Sequence, residues 1–236
     1  MRLFWLFVLV VIAGCAAPRS PSVTLSGVSS GGYMALQMQV AFSDRIAGAA
    51  AVAAGPYDCA KGNILNALGP CIKGPPPSSE DTLELMRARQ ADGSIAPVTR
   101  LKGRPIWLFH GAQDTVVARQ VVEHAAAVFE QLDANVQRVT NVPAAHGMPT
   151  TDQGVACGQM QAPFLNACDY DAAGEALAFI LGVVDAPSAR ALNDGAGRII
   201  DVPQPQAPGL AAVGKAYVSP QCEAADNCDV HVVFHG

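Results

Sequence analysis

At 236 residues, half of them hydrophobic, the chain is long enough to bury one substantial α/β core and needs no second domain to do so. Acidic residues outnumber basic ones by 20 to 15, for a net charge of −5, and no Lys/Arg cluster interrupts the sequence. A nucleic-acid partner therefore has no electrostatic footprint here and is not expected.

The N-terminus reads as a targeting segment. Arg2 precedes an apolar run at 3–12 that is too short for a permanent membrane-spanning helix, and Ala13-Gly14-Cys15 follows. Ile12-Ala13-Gly14-Cys15 is similar to the lipobox of bacterial lipoprotein signals, where cleavage before the cysteine leaves that residue lipidated. The alternative is an ordinary secretory signal with an incidental cysteine. Both readings export the protein, either anchored through Cys15 to the outer membrane or cell surface, or secreted. Residues 1–14 are thus expected to be signal, 15–22 a tether and 23–236 a single folded domain, with the lipid as the only membrane contact.

A β-prone run at 23–25 leads into Gly27-Val28-Ser29-Ser30-Gly31, and a helix is expected over 34–42. Strand, G-x-S-x-G and helix in that order are the signature of a nucleophile elbow centred on Ser29. The turn is so sharp that the residues two before and two after the nucleophile must be nearly free of side chain, which Gly27 and Gly31 satisfy. Ser30 fits worse as a nucleophile, being flanked at those positions by Val28 and Gly32, but its backbone N–H suits an oxyanion donor. A serine hydroxyl is a weak nucleophile alone, so the pattern demands a histidine base and a carboxylate to orient it.

Both are found downstream. Residues 46–54 form an unbroken small apolar run that reads as a strand buried on both faces, 59–77 is loop-rich, and 80–90 is helical. The strand at 105–109 ends in His110-Gly111-Ala112-Gln113-Asp114, where functional loops of parallel sheets converge. Asp114 is the candidate acid; its alternative reading is a cap for the helix that follows, expected over 116–132. His124 lies inside that helix and reads as surface or core, while His110 shapes the turn before the acid. A strand over 135–142 then delivers His146 on its trailing loop. Ser29, Asp114 and His146 follow the chain order of an α/β-hydrolase triad.

A covering helix is expected over 171–184, then a Pro/Gly-rich connection at 186–210, and β-runs at 215–218 and 230–236, the latter containing His231 and ending in His235-Gly236. A hydrolase sheet ordinarily has several strands before the elbow, the last of them leading into a His-Gly oxyanion loop. Here one strand precedes Ser29 and a His-Gly run stands at the far end, which is the pattern of a circularly permuted α/β-hydrolase: a mostly parallel sheet with helices on both faces.

Export permits disulfides, and six cysteines remain beyond Cys15. Proximity favours three local pairs, Cys59 with Cys71, Cys157 with Cys168 and Cys222 with Cys228, out of fifteen pairings that six cysteines allow. With no C-x-x-C and no histidine at ligand spacing, neither a metal nor a cofactor is expected.

Residues 27–35 (Gly-Val-Ser-Ser-Gly-Gly-Tyr-Met-Ala), Gly55-Pro56-Tyr57-Asp58-Cys59, the run from Cys168 to Gly174 and the terminal His-Val-Val-Phe-His-Gly resemble the circularly permuted extracellular poly(3-hydroxybutyrate) depolymerases. The resemblance runs from about Leu25 to Gly236. It implies a serine esterase that cuts polyesters of 3-hydroxyalkanoates, with Ser29 as nucleophile, His146 as base, Asp114 as orienting acid and Ser30 as one oxyanion donor. In that family a cysteine after the His-Gly supplies the second donor and further core follows, so the resemblance implies a C-terminally shortened chain. Two rival readings keep their own discriminators. A feruloyl or acetyl esterase of plant polysaccharides would prefer aromatic or acetyl esters to 3-hydroxybutyrate oligomers. A non-catalytic lipoprotein remnant would leave Ser29 unlabelled by a fluorophosphonate. Because a strand advances about 3.3 Å per residue, an anchor at Cys15 and the nucleophile are expected at opposite ends of the first strand, the site facing away from the membrane.

Overall fold

The computed structural model describes residues 22–182, 197–207, 210–223 and 227–236; the stretch 1–14 expected to be signal, Cys15 and the expected tether as far as residue 21 lie outside them. In chain order, β1 (Val23–Val28) runs into α1 (Ser30–Ala41) and β2 (Ile46–Val52). The loop behind β2 carries two short helices, α2 (Ile64–Leu68) and α3 (Pro70–Lys73), before α4 (Ser79–Ala91). Then come β3 (Pro105–Phe109), α5 (Arg119–Gln131) and β4 (Asn135–Val139). Three short strands, β5 (Met148–Thr150), β6 (Val155–Ala156) and β7 (Leu165–Ala167), make a small sheet ahead of α6 (Ala172–Leu181). The C-terminal stretch holds an antiparallel hairpin of β8 (Arg198–Pro203) and β9 (Val213–Val218), one helical turn, α7 (Pro220–Glu223), and β10 (Val230–Phe234).

Five strands build the central sheet in the order β10, β1, β2, β3, β4, all parallel. The apolar runs explain its middle: every residue of β2 except Ala47 is buried, as are Ile106 to Phe109 in β3, with Trp107 and Phe109 stacked at 5.8 Å. A fully buried Ile, Leu or Phe among them contributes about 1.5–3 kcal/mol, and each alanine of β2 only about 0.8 kcal/mol. Steps from β1 to β4 all advance the same way, so right-handed crossovers put α1, α4 and α5 on one face and α6, on the return path, on the other. α5 shows why it packs: Val121, Val122, Ala125, Ala126, Val128 and Phe129 are buried, while Glu123 and Glu130 face water. The last strand lies beside the first, with Val23 opposite Val230 and Gly27 opposite Phe234. That register is pinned at its start, where the Ser22 amide donates to Asp229 Oδ1 (2.7 Å) and the Val230 amide to the Ser22 carbonyl (2.9 Å).

Several elements differ from the sequence reading. The strand expected over 46–54 stops at Val52 because Ala53 takes φ 54°, which no strand can continue through. The helix expected from 34 starts four residues earlier, at Ser30, since packing overrides the poor propensity of Gly31 and Gly32. The helix expected to 184 ends at Leu181, with Gly182 in the left-handed region at φ 65°; residues 183 and 184 lie outside the described set. Stretches read as loop at 59–77 and as connection at 186–210 contain α2, α3 and β8.

All three local disulfides are formed: Cys59–Cys71, Cys157–Cys168 and Cys222–Cys228, with Cα separations of 5.8, 4.7 and 5.8 Å. Such bonds persist in oxidising compartments outside the cytosol.

His231 joins the last strand to the first through side chains as well. Its Nδ1 lies 2.9 Å from Thr24 Oγ1 and its Nε2 2.8 Å from Ser26 Oγ, so a neutral ring donates to one hydroxyl and accepts from the other. Burial holds its pKa below the ordinary histidine value. In the unfolded chain the ring takes up a proton near pH 6.5, and in the folded one only below that. Between those two values the unfolded state binds more protons, so stability is fully present above about pH 6.5 and falls as the pH drops below it. The thermal midpoint is expected to fall between pH 7.5 and 5.5, and by less in His231→Gln; an equal fall in both proteins would assign the effect elsewhere.

Candidate active site

Ser29 sits in the turn between β1 and α1 with φ 53° and ψ −120°, a strained conformation that is uncommon outside glycine and marks the elbow. Its side chain makes no capping hydrogen bond to α1, which leaves the hydroxyl uncommitted. The Ser29 amide donates to the Val52 carbonyl (2.8 Å), holding the turn against the end of β2. The two flanking glycines are dictated by contact. A Cβ on Gly27 would stand 2.7 Å from the Gly32 nitrogen, and one on Gly31 2.6 Å from the Phe234 carbonyl carbon at the end of β10. The chain then passes directly over the elbow, where a Cβ on Gly236 would lie 3.4 Å from Ser29 Cβ. Ser30 opens α1, in the first turn whose amides lack intrahelical acceptors.

Asp114 and His146 meet. His146 Nδ1 donates to Asp114 Oδ2 at 2.8 Å, with the two side chains 12 % and 1 % exposed. The other carboxylate oxygen, Oδ1, accepts from the amides of Val116 (2.8 Å) and Val117 (3.0 Å). The capping role considered for Asp114 is therefore local: it holds the turn at 116–117, and α5 begins later, behind Ala118. Burial alone would raise the Asp114 carboxyl. The His146 hydrogen bond and charge together with the two amides outweigh it and hold the group below its ordinary value, so it stays ionised.

The pairing is reproducible because the loops are zipped together beyond the strand ends. The His110 amide donates to the Val139 carbonyl (2.9 Å), Ala112 to Val142 (2.8 Å) and Gln113 to Ala144 (3.1 Å), extending the β3–β4 ladder to the acid. From the far side the Ala145 amide donates to the carbonyl of Cys157, itself in a disulfide (2.8 Å). Ser29 stands at the same carboxyl end of the sheet. Among the described residues no hydrogen bond joins its hydroxyl to His146, whose Nδ1 is engaged by Asp114.

The remaining histidines divide as their positions suggest. His110 is buried and its Nε2–H donates to the Val117 carbonyl (2.9 Å), closing the acid loop. His124 lies on α5 with its Nδ1 against the Gln120 carbonyl (2.8 Å), away from the pair. Sequence reasoning missed Tyr33, whose hydroxyl donates to the Cys71 carbonyl, and Lys73, whose Nζ donates to the carbonyls of Thr115 and Val116 (3.1 Å each). Tyr33 stands within the run at 27–35 and Lys73 in no motif, and neither contact could be foreseen, because the partners are backbone carbonyls that any sequence supplies.

No family model matches the chain. Among curated proteins it is 36% identical over 222 residues to the poly(3-hydroxybutyrate) depolymerase of Delftia acidovorans, across 90% of this chain and 44% of that one. It is 33% identical over 249 residues to the polyhydroxybutyrate depolymerase of Talaromyces funiculosus, across 100% of this chain and 72% of the relative. The chain belongs to the poly(3-hydroxybutyrate) depolymerase family. The crystal structure of the depolymerase from Penicillium funiculosum superposes with a TM-score of 0.80 at 34% identity, covering 92% of this chain and 70% of that one. A depolymerase complexed with an R3HB trimer superposes with a TM-score of 0.81 at 33% identity. The chain thus spans less than half the length of the bacterial depolymerase and about seven tenths of the fungal one.

Proposed function

We propose that the protein is an exported serine esterase that hydrolyses ester bonds of poly(3-hydroxybutyrate) or its oligomers through an acyl-enzyme. The observation that carries this is the buried Asp114–His146 pair, 2.8 Å apart, at the same sheet end as the strained Ser29 elbow. Ser29 Oγ attacks the ester carbonyl while His146 Nε2 takes its proton, and the oxyanion forms against the Ser30 amide. Collapse breaks the ester bond, and His146 gives the proton to the departing hydroxyl end of the polymer. Water then attacks the acyl-serine, His146 taking its proton and returning it to Ser29 Oγ as the acyl–oxygen bond breaks and the acid product leaves. Asp114 keeps the Nδ1–H in place so that Nε2 is free to accept.

The circularly permuted reading is supported by β10 lying parallel to β1 with its trailing residues over the elbow. A polymer substrate suits the surface around this end of the sheet. Ile64, Leu65 and Leu68 are 67, 75 and 62% exposed in the loop closed by Cys59–Cys71, and Met160 and Phe164 are each 52% exposed in the loop closed by Cys157–Cys168. Apolar side chains held out on stapled loops fit a solid polyester better than a soluble sugar ester.

A fluorophosphonate is expected to label the wild-type protein and not Ser29→Ala, and 3-hydroxybutyrate oligomers are expected to turn over faster than feruloyl esters. Preference for the aromatic ester would move the substrate to plant polysaccharides; absence of labelling in folded protein would make the chain non-catalytic. We further propose attachment through a lipid on Cys15, with the site facing outward. Intact mass of protein from a bacterial host is expected to show a diacylglyceryl-modified Cys15, and an unmodified chain free in the medium would replace anchoring with secretion.

A further inference from the structure

We propose that α3 is a brace between the nucleophile and the acid, and that Lys73 and Tyr33 are positioning residues acting through it; the inference rests on the esterase reading above. Three consecutive residues carry it. The Cys71 carbonyl accepts from the Tyr33 hydroxyl, and Tyr33 belongs to the first turn of α1, where its amide donates to the Ser29 carbonyl at 3.0 Å. The Ile72 carbonyl accepts from the Ala118 amide at 2.7 Å, at the start of α5. Lys73 Nζ donates to the carbonyls of Thr115 and Val116, 3.1 Å each. The Cys59–Cys71 disulfide fixes the brace to the loop that leaves β2.

The Lys73 contacts have a specific geometry. The peptide whose carbonyl is Thr115's has Val116's N–H, and the peptide whose carbonyl is Val116's has Val117's N–H. Those are the two amides that donate to Asp114 Oδ1. One ammonium therefore grips the carbonyl ends of both peptide groups whose opposite ends hold the carboxylate. A cation at the carbonyl end polarises each peptide and strengthens its N–H as a donor. Lys73 thus supports the ionised acid without touching it, and no other described side chain donates to either carbonyl. At the other end of the brace, burial pushes the Tyr33 phenol well above its ordinary value, outweighing the opposing hydrogen bond of the Gly55 backbone, so the hydroxyl remains a donor throughout the working range.

The test uses the full chain, a soluble short-chain nitrophenyl ester and the fluorophosphonate. Lys73→Met is expected to lower kcat about 10-fold with KM unchanged, the scale on which a small misplacement remote from the chemistry acts. Losing the positive charge makes protonation of the Asp114–His146 pair easier, so the acid limb of the pH–rate profile moves to higher pH. Lys73→Arg restores both, and added salt weakens the wild-type advantage because Lys73 is exposed. Tyr33→Phe is expected to slow fluorophosphonate labelling about 10-fold without changing KM. A purely structural role would lower the melting temperature and leave the acid limb where it is. Unchanged kcat and an unmoved limb in Lys73→Met, in a wild type that labels on Ser29, overturn the brace alone. A wild type that does not label overturns the esterase reading and the brace with it.

Discussion

Replacing Asp114 by asparagine is expected to lower kcat about 10⁴-fold with little change in fold, the loss that the same substitution produces in serine-protease triads. Both oxygens of the carboxylate are engaged, Oδ1 by the amides of Val116 and Val117 and Oδ2 by His146 Nδ1–H. An asparagine has one oxygen and one NH₂ to offer. The two amides are donors and select the oxygen, so the NH₂ faces the imidazole. His146 Nδ1 must then accept, the ring proton moves to Nε2, and the nitrogen that should take the Ser29 proton already carries one. Fluorophosphonate labelling and ester turnover should fall together, while circular dichroism stays unchanged. The pH dependence of stability supplies a second check. Asp114's folded pKa is depressed, so its contribution is present above the unfolded value near 4 and is lost as the pH falls through the lower folded value. Asp114→Asn removes that loss. A variant that retains a tenth of wild-type turnover would mean that His146 is oriented by something other than Asp114.

The parts of this molecule that could be read from its residues are those in which a local pattern and its structural requirement coincide. Gly27, Ser29 and Gly31 announce a turn that few other residues could make, and the apolar runs that become β2 and β3 are buried on both sides. Asp114 follows the apolar run that becomes β3 and His146 follows β4, a half-exposed strand beside it, so both belong at the carboxyl end of the sheet, and the 2.8 Å contact completes the pair. The disulfides pair as neighbours because each closes a short loop. What was not legible depends on contacts without a sequence period. α2 and α3 have five and four residues, too few to be stable alone, and exist because the Cys59–Cys71 loop and its neighbours hold them. β5, β6 and β7 have three, two and three residues, too short for alternation to show. Tyr33 and Lys73 look like any helix tyrosine and any surface lysine, since only the folded chain brings a carbonyl to them.

The contact between the last strand and the elbow carries the other large prediction. A Cβ on residue 31 would lie 2.5 Å from the His235 carbonyl oxygen and 2.6 Å from the Phe234 carbonyl carbon, closer than any real Cβ approaches. Both are main-chain atoms and no rotamer change relieves them, so Gly31→Ala must part α1 from the end of β10. Overpacking of this kind costs roughly 1–3 kcal/mol of stability even where the surroundings adjust. The displacement also falls where a nucleophile tolerates it least. Residues 234–236 lie on the elbow itself, a Cβ on Gly236 standing 3.0 Å from the Val28 carbonyl. Labelling of Ser29 is therefore expected to slow about 10²-fold, the penalty of a misplacement of order 1 Å, together with a lower melting temperature. Ser30→Ala is the control: it alters the adjacent side chain, which is exposed, and keeps the amide, so labelling should remain near wild type. If Ser30→Ala were the slower of the two, the hydroxyl of Ser30 rather than its amide would be serving the site. If Gly31→Ala labelled and melted like wild type, β10 would not be seated against α1, and the parallel pairing of the chain's last strand with its first would have to be redrawn.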